Sequence, residues 1–221
     1  MSDVIITVRG EREHRVAPEQ AVARIVVRAD GPDRGEVVER MTAAATVLRD
    51  DLTARKTAGG IADWSSRRVS VWADRPWNAE GKRLAPVHRA SVEITATFTD
   101  FTALSWWLSE ISDRDEVAVE EVSWELTPET ARRVEADVAA SAVQVAVARA
   151  TAYAAAIGLT TVVPEQIADL GLLSSGGAET AAPRMMKAAM MSDAGGSGAP
   201  FAFEPEEITV TAAVEARFRA R

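Results

Sequence analysis

Thr127 to Gly158 reads TPETARRVEADVAASAVQVAVARATAYAAAIG, and this stretch decides the architecture. Thr127 stands as an N-cap, Pro128 takes the first helical position, where a missing N–H costs nothing, and Gly158 supplies the stop. The spacing predicts one alanine-rich helix over 128–157, about thirty residues and roughly 45 Å long at its usual rise. Projected at the helical period, Val134, Val138 and Val145 fall on one side, while Val143, Val147 and Ile157 fall nearly opposite. Two apolar sides need two covers. A sheet of the same domain can supply one. The other would come from a short tryptophan-bearing helix of the same chain or from a second subunit.

Outward from this helix the chain reads as strands of period two. Ile208, Val210, Ala212, Val214, Ala216 and Phe218 alternate with mostly polar neighbours almost to the carboxyl end. Val92, Ile94, Ala96 and Phe98 do the same, as do Ala21, Ala23, Ile25, Val27 and Ala29. Strands with one wet face predict a mainly antiparallel sheet. Between them, Val37, Met41, Leu48 and Leu52 form a helical stripe opened by Asp33 with Glu36 and closed by Gly59 and Gly60. Asp100 caps a shorter helix carrying Phe101, Leu104, Leu108 and Ile111. A hairpin with its turn near Asn78 to Lys82 lies between the two. The fold class is therefore α+β, with helices layered on an antiparallel sheet.

The 221 residues suffice for one substantial core, or at most two closely packed halves, and a single domain over 1–221 is expected. Residues 174–200 turn to Gly, Ser, Ala and Met and read as a flexible excursion. A net charge of −8 with scattered acids argues against a nucleic-acid partner, because phosphate binding rests on clustered Lys and Arg. The absence of cysteine excludes disulfides, thiolate nucleophiles and Cys-ligated zinc. Met1-Ser2-Asp3 leads into a strand pattern at Val4 without the features of a secretory signal, so a cytoplasmic protein is expected. No apolar run approaches the roughly 20 residues of a membrane span, so no transmembrane segment is expected.

Several local strings meet in one family. VRGEREHRVAPEQAVARIVVRA, Val8 to Ala29, resembles the amino-terminal pattern of the SIMPL-domain family: a strand, a Gly-x-Gly-like turn, a Pro-Asp-like corner and a second strand. Gly10, Pro18 and Ala21 match it, whereas Arg12 stands where a second glycine is common and Glu19 where aspartate is common. Gly60-Ile61, Arg89-Ala90, the helix ending Ile157-Gly158-Leu159 and the final strand Glu207 to Phe218 are similar to the family in order and spacing. The resemblance covers nearly the whole chain. It implies a SIMPL-like domain from a family of secreted or periplasmic antigens, stress-associated proteins and a vertebrate signalling adaptor. Some bacterial members form ring-like or channel-like oligomers. It implies no catalytic residue set, and this chain departs from the periplasmic branch in showing no signal peptide.

The residues offer contact surfaces more readily than chemistry. His14 and His88 have no ligand partner at helical spacing, and Gly-x-Ser-x-Gly is absent; Gly196-Ser197-Gly198 reads as linker. Acidic pairs occur at Asp50-Asp51, Asp113 with Asp115, Glu120-Glu121 and Glu206-Glu207. Neighbours in a strand point to opposite faces, so Glu120 and Glu121 cannot converge unless a bulge intervenes. Met185, Met186, Met190 and Met191 are adaptable apolar groups, and Met186 and Met190 would form a ridge if Pro183 to Met191 were helical. Trp106 and Trp107 cannot both face one core from adjacent helical positions, and Trp72 and Trp77 sit on the hairpin. The candidate interface is thus Trp72, Trp77, Trp106, Trp107, Val143, Val147, Met185, Met186, Met190 and Met191. No catalytic, cofactor or metal residues are assigned. The leading expectation is a non-enzymatic, self-associating protein with a structural or scaffold role, associated with stress. The alternatives are an adaptor module that docks a protein or apolar ligand on its Met and Trp surfaces, and an enzyme with an unrecognised carboxylate site.

Overall fold

The computed structural model describes residues 3–173, 185–186, 189–190 and 203–221, the two short pieces by their backbone alone. Most of the 174–200 excursion, Gly196-Ser197-Gly198 and Met191 lie outside the described residues. The elements run β1 (Val4–Val16), β2 (Gln20–Gly31), α1 (Arg34–Thr57), β3 (Asp63–Asp74), β4 (Val87–Phe98), α2 (Phe101–Ser112) and β5 (Val117–Glu125). Then come α3 (Pro128–Ala156), β6 (Val162–Asp169), β7 (Met185–Met186), β8 (Ala189–Met190) and β9 (Ile208–Ala220). All ladders are antiparallel, and the fold is α+β as the alternation predicts.

The strands divide between two sheets rather than forming one. β1 and β2 do not make a hairpin: β1 pairs along its length with β9, and β2 lies between β4 and β5. Ala17 and Pro18 make the corner between them, and Pro18 has no N–H to continue a ladder. Two compact units result, interleaved along the sequence. One comprises Met1–Ala17, Leu126–Lys187 and Glu207–Arg221; the other comprises Pro18–Glu125 and Ala188–Glu206.

In the second unit the order is β3-β4-β2-β5-β8, with α1 and α2 packed on the sheet. The alternation seen in sequence becomes the core. Ala21, Ala23, Ile25 and Val27 of β2 and Val92, Ile94, Ala96 and Phe98 of β4 are buried under Val37, Met41, Ala45, Leu48 and Leu52 of α1. Leu104, Trp107, Leu108 and Ile111 of α2 complete it. Both helices start as their sequences dictate. Asp33 Oδ1 accepts from the amides of Gly35 at 2.7 Å and Glu36 at 3.0 Å, and Asp100 Oδ1 accepts from Thr102 at 2.8 Å and Ala103 at 3.1 Å.

Carboxylates also tie down both ends of α1. The amides of Glu36 and Gly35 hold Asp33 below its ordinary pKa. At the far end Asp63 takes Lys56 Nζ at 2.6 Å and the Trp64 amide at 2.8 Å, and the Lys56 hydrogen bond, then that amide, lower its pKa too. A carboxylate depressed in the folded state contributes stability above its unfolded pKa and loses it as the pH falls through the folded value. The expected outcome is that wild type exceeds the Asp33→Asn/Asp63→Asn variant in urea midpoint at pH 7. The gap should close below the usual carboxylate range; a gap that stays constant into acid would refute the assignment.

In the first unit the order is β1-β9-β6, with β7 also pairing β9 at Val210 and Thr209. α3 lies along β1 and β9. It is capped by Thr127, whose Oγ1 accepts from the Thr130 amide at 3.3 Å, and Gly158 ends it at φ +80°. Its buried side starts with Val134 and Val138, packed with Leu126, Ile208 and Val210. From there it continues only as alanine: Ala142, Ala146, Ala150 and Ala154, one turn apart, against Ile6, Val8, Ala216 and Phe218. The expected large apolar face over the sheet is therefore narrower in its second half, and Val145 is only half-buried. Small side chains let the helix backbone come down onto the strand. Gly10 of β1 is the point of contact, since a Cβ there would sit 2.0 Å from the Ala142 carbonyl oxygen and 2.7 Å from the Ala146 nitrogen. Arg149 reaches over the same place and donates to the Arg9 carbonyl at 2.8 Å. By length and composition α3 is also apolar enough to cross a membrane, which qualifies the expectation that no stretch approaches that limit.

Candidate interaction surface

The hairpin of β3 and β4 carries Val69, Val71, Trp72, Trp77 and Leu84, all exposed. β3 is in register with β4 from Asp63↔Thr97 to Asp74↔Val87, with an irregularity between Ser66 and Val69. Directly paired residues share a face. Val69 and Val71 therefore continue the face of Val92 and Ala90, which are fully buried, yet Val69 is 60% exposed and Val71 is exposed as well. Trp72 stands on the other face with Arg89 and Asp74; its Nε1 donates to Asp74 Oδ2 at 3.2 Å, and Arg89 approaches the same oxygen at 3.3 Å.

The turn falls where Asn78 to Lys82 predicts it. Asn78 Oδ1 accepts from the amides of Glu80 at 3.1 Å and Lys82 at 2.8 Å, and Gly81 takes φ +74°. Trp77 bridges to Arg83, whose guanidinium lies 4.9 Å from the indole centre; even so, Trp77 is 61% exposed. The hairpin is thus built to its tip while its apolar groups face water.

The adjacent tryptophans of α2 separate as their positions require. Trp106 is 58% exposed and stays a candidate contact. Trp107 is 1% exposed, and the structure removes it from the candidate interface. Its ring packs on Phe98 at 5.1 Å, and its Nε1 donates to Asp51 Oδ2 at 2.8 Å. Asp51 also accepts from Arg55 Nε at 2.9 Å, so the Asp50-Asp51 pair is split between solvent and this structural role. Nothing in the sequence signalled the Trp107–Asp51 contact, which joins residues 56 positions apart.

On α3, Val143 is half-buried against the alanine stripe, whereas Val147 and Tyr153 are exposed and Ile157 is 56% exposed. The outward side of this helix is left without a cover among the described residues. Met185-Met186 and Ala189-Met190 are strand, pairing β9 and β5 respectively, so the helical ridge of Met186 and Met190 does not form.

The other acidic pairs do not gather. A bulge does intervene at Glu120, because Arg24 faces Glu121 while Ile25 faces Val119. Glu121 is nonetheless drawn to Arg24 at 3.5 Å, and Glu93 approaches the same guanidinium at 3.7 Å from the other side. Asp113, Asp115, Glu206 and Glu207 are exposed, as is His14, and His88 is half-buried in β4. Among the described residues no three acidic or histidine side chains are placed to hold a metal ion. The first unit has a shallow hollow of about 330 Å³ lined by Thr7, Arg9, Leu173, Glu215 and Arg217, where the Leu173 amide donates to Glu215 at 3.2 Å.

The architecture defines a class, an α+β protein of two antiparallel sheets with helices laid on them. The chain belongs to the SIMPL family, described as protein of unknown function (DUF541), whose family model matches residues 6–218. The comparison with curated proteins finds no match.

Proposed function

We propose that this SIMPL protein is non-enzymatic and self-associates in the cytoplasm, as a structural or scaffold element that also serves under stress. One observation carries the reading: a well-built hairpin holds Val69, Val71, Trp72 and Trp77 out in water. Val69 and Val71 lie on one face of this ordered element and Trp72 on the other, and apolar groups held exposed on a rigid hairpin support an interaction surface. The exposed Val147, Tyr153 and Ile157 of α3 offer a second surface.

Native mass spectrometry and light scattering at micromolar concentration should show an oligomer; a monomer at every concentration would end this reading. The exposed Trp72, Trp77 and Trp106 favour one alternative, an adaptor that docks another protein. That alternative expects a monomer or dimer whose hairpin gains protection from proteolysis only when a partner is added.

A further inference from the structure

We infer that β3 is the self-association edge, pairing antiparallel with β3 of a second copy to make one sheet continuous across two molecules. The inference rests on the self-association proposed above and assigns it a surface and a register.

β3 closes one side of the second unit's sheet and has no strand beyond it among the described residues; at the opposite margin β8 extends β5 only at Val122 and Ser123. An edge strand is a template for another chain, and natural edges are blunted with proline, charge, a bulge or cover; the irregularity of β3 lies between Ser66 and Val69, so the stretch open to regular pairing begins at Val69. Between Arg68 and Asp74 the strand reads R-V-S-V-W-A-D, with no proline and no charge between its ends. Its side chains suit a copy of itself. Arg67 and Arg68 stand mid-strand at the irregularity and Asp74 at the carboxyl end, so antiparallel copies paired over Val69 to Ala73 bring unlike charges together at the flanks of that stretch.

Symmetry narrows the register. Two identical edges pairing antiparallel are related by a two-fold axis perpendicular to the sheet, which keeps each face on its own side. Opposed residues must then share parity. Centring the pair on Val71 sets Val71 against Val71, Val69 against Ala73, Ser70 against Trp72 and Arg68 against Asp74. The exposed valines continue the core face on both sides of the axis. On the other face each Arg68 meets an Asp74 that already holds Trp72 and Arg89.

The test uses the whole chain. Arg68→Glu and Asp74→Lys, made singly, should each weaken the oligomer about tenfold or more by opposing like charges, and the double variant should recover the wild-type dissociation constant to within about threefold. Circular dichroism identifies any variant that misfolds. Because the chain has no cysteine, Val71→Cys gives a second readout. Opposed strand residues lie within disulfide reach, so mild oxidation should give a covalent dimer that a Thr46→Cys control on exposed α1 does not. An oligomer indifferent to the charge changes, with no Val71→Cys crosslink, would overturn edge pairing and leave self-association standing. A monomeric wild type would overturn both.

Discussion

Gly10→Ala should destabilise the first unit by about 3 kcal/mol or more, at the upper end of what overpacking costs. The added methyl would lie 2.0 Å from the Ala142 carbonyl oxygen and 2.7 Å from the Ala146 nitrogen, and both are backbone atoms of a continuous helix. No rotamer change relieves the clash. α3 must lift from β1, which opens contacts along Ala142, Ala146, Ala150 and Ala154 and strains the bond from Arg149 to the Arg9 carbonyl. Urea unfolding followed by circular dichroism measures the loss. All six tryptophans lie in the other unit, so their emission in the same titration tells whether one unit or both have been lost. A wild-type midpoint for this variant would mean that α3 does not rest on Gly10.

Trp107→Ala is expected to cost about 3–5 kcal/mol, the range for emptying a large aromatic site. The indole is sealed between α2 and the sheet, stacks near Phe98 and supplies one of the donors to Asp51. Trp107→Phe separates the two contributions. It keeps most of the apolar contact but removes the N–H, and Asp51 retains Arg55 and some access to water, so about 1 kcal/mol is expected for the lost hydrogen bond. If alanine and phenylalanine cost the same, the ring's packing is not what holds α2 to the sheet. The parallel change Trp106→Ala, on the exposed neighbour, should leave the urea midpoint near wild type.

These two sites show what sequence reading can and cannot deliver here. Helix ends, stripes and strand faces follow from local periodicity, and Asp33, Asp100, Thr127, Pro128 and Gly158 act where the caps and stops were expected. Partner choice among strands is not local. The strand pattern of Val4–Val16 is equally compatible with pairing to β2 or to β9, and only the three-dimensional structure selects β9. The two apolar sides of α3 were visible, but not which one the sheet would take. Counting valines as the packing groups overlooked that alanines at four-residue spacing, opposite a mid-strand glycine, permit a closer approach than any larger residue. That pairing of signals was available in Gly10 and Ala142 through Ala154. The Trp107–Asp51 bond was not, since each residue taken alone has an ordinary surface reading.

The candidate contact surface was legible in part. Exposed Trp72 and Trp77 on a hairpin could be anticipated from strand spacing, whereas the exposure of Val69 and Val71 could not, because alternation alone assigns them to a buried face. They stand in water because β3 is the margin of its sheet, and margins are a property of topology.

The place of β9 has a further consequence, for the order of events during synthesis. It is the middle strand of its sheet, with β1 on one side and β6 on the other, and its register with β1 runs from Val16↔Ile208 to Val4↔Ala220. A strand made first thus waits for one made on the order of 190 residues later, a delay of roughly 10–40 s at ordinary ribosomal rates. Pro18 to Glu125 can assemble its four main strands in the meantime, because β2 to β5 are contiguous in the chain. Until translation reaches Ile208, Val4–Val16 is a nascent strand without its mate, and that interval is when a chaperone or a neighbouring polysome chain has its opportunity to engage it.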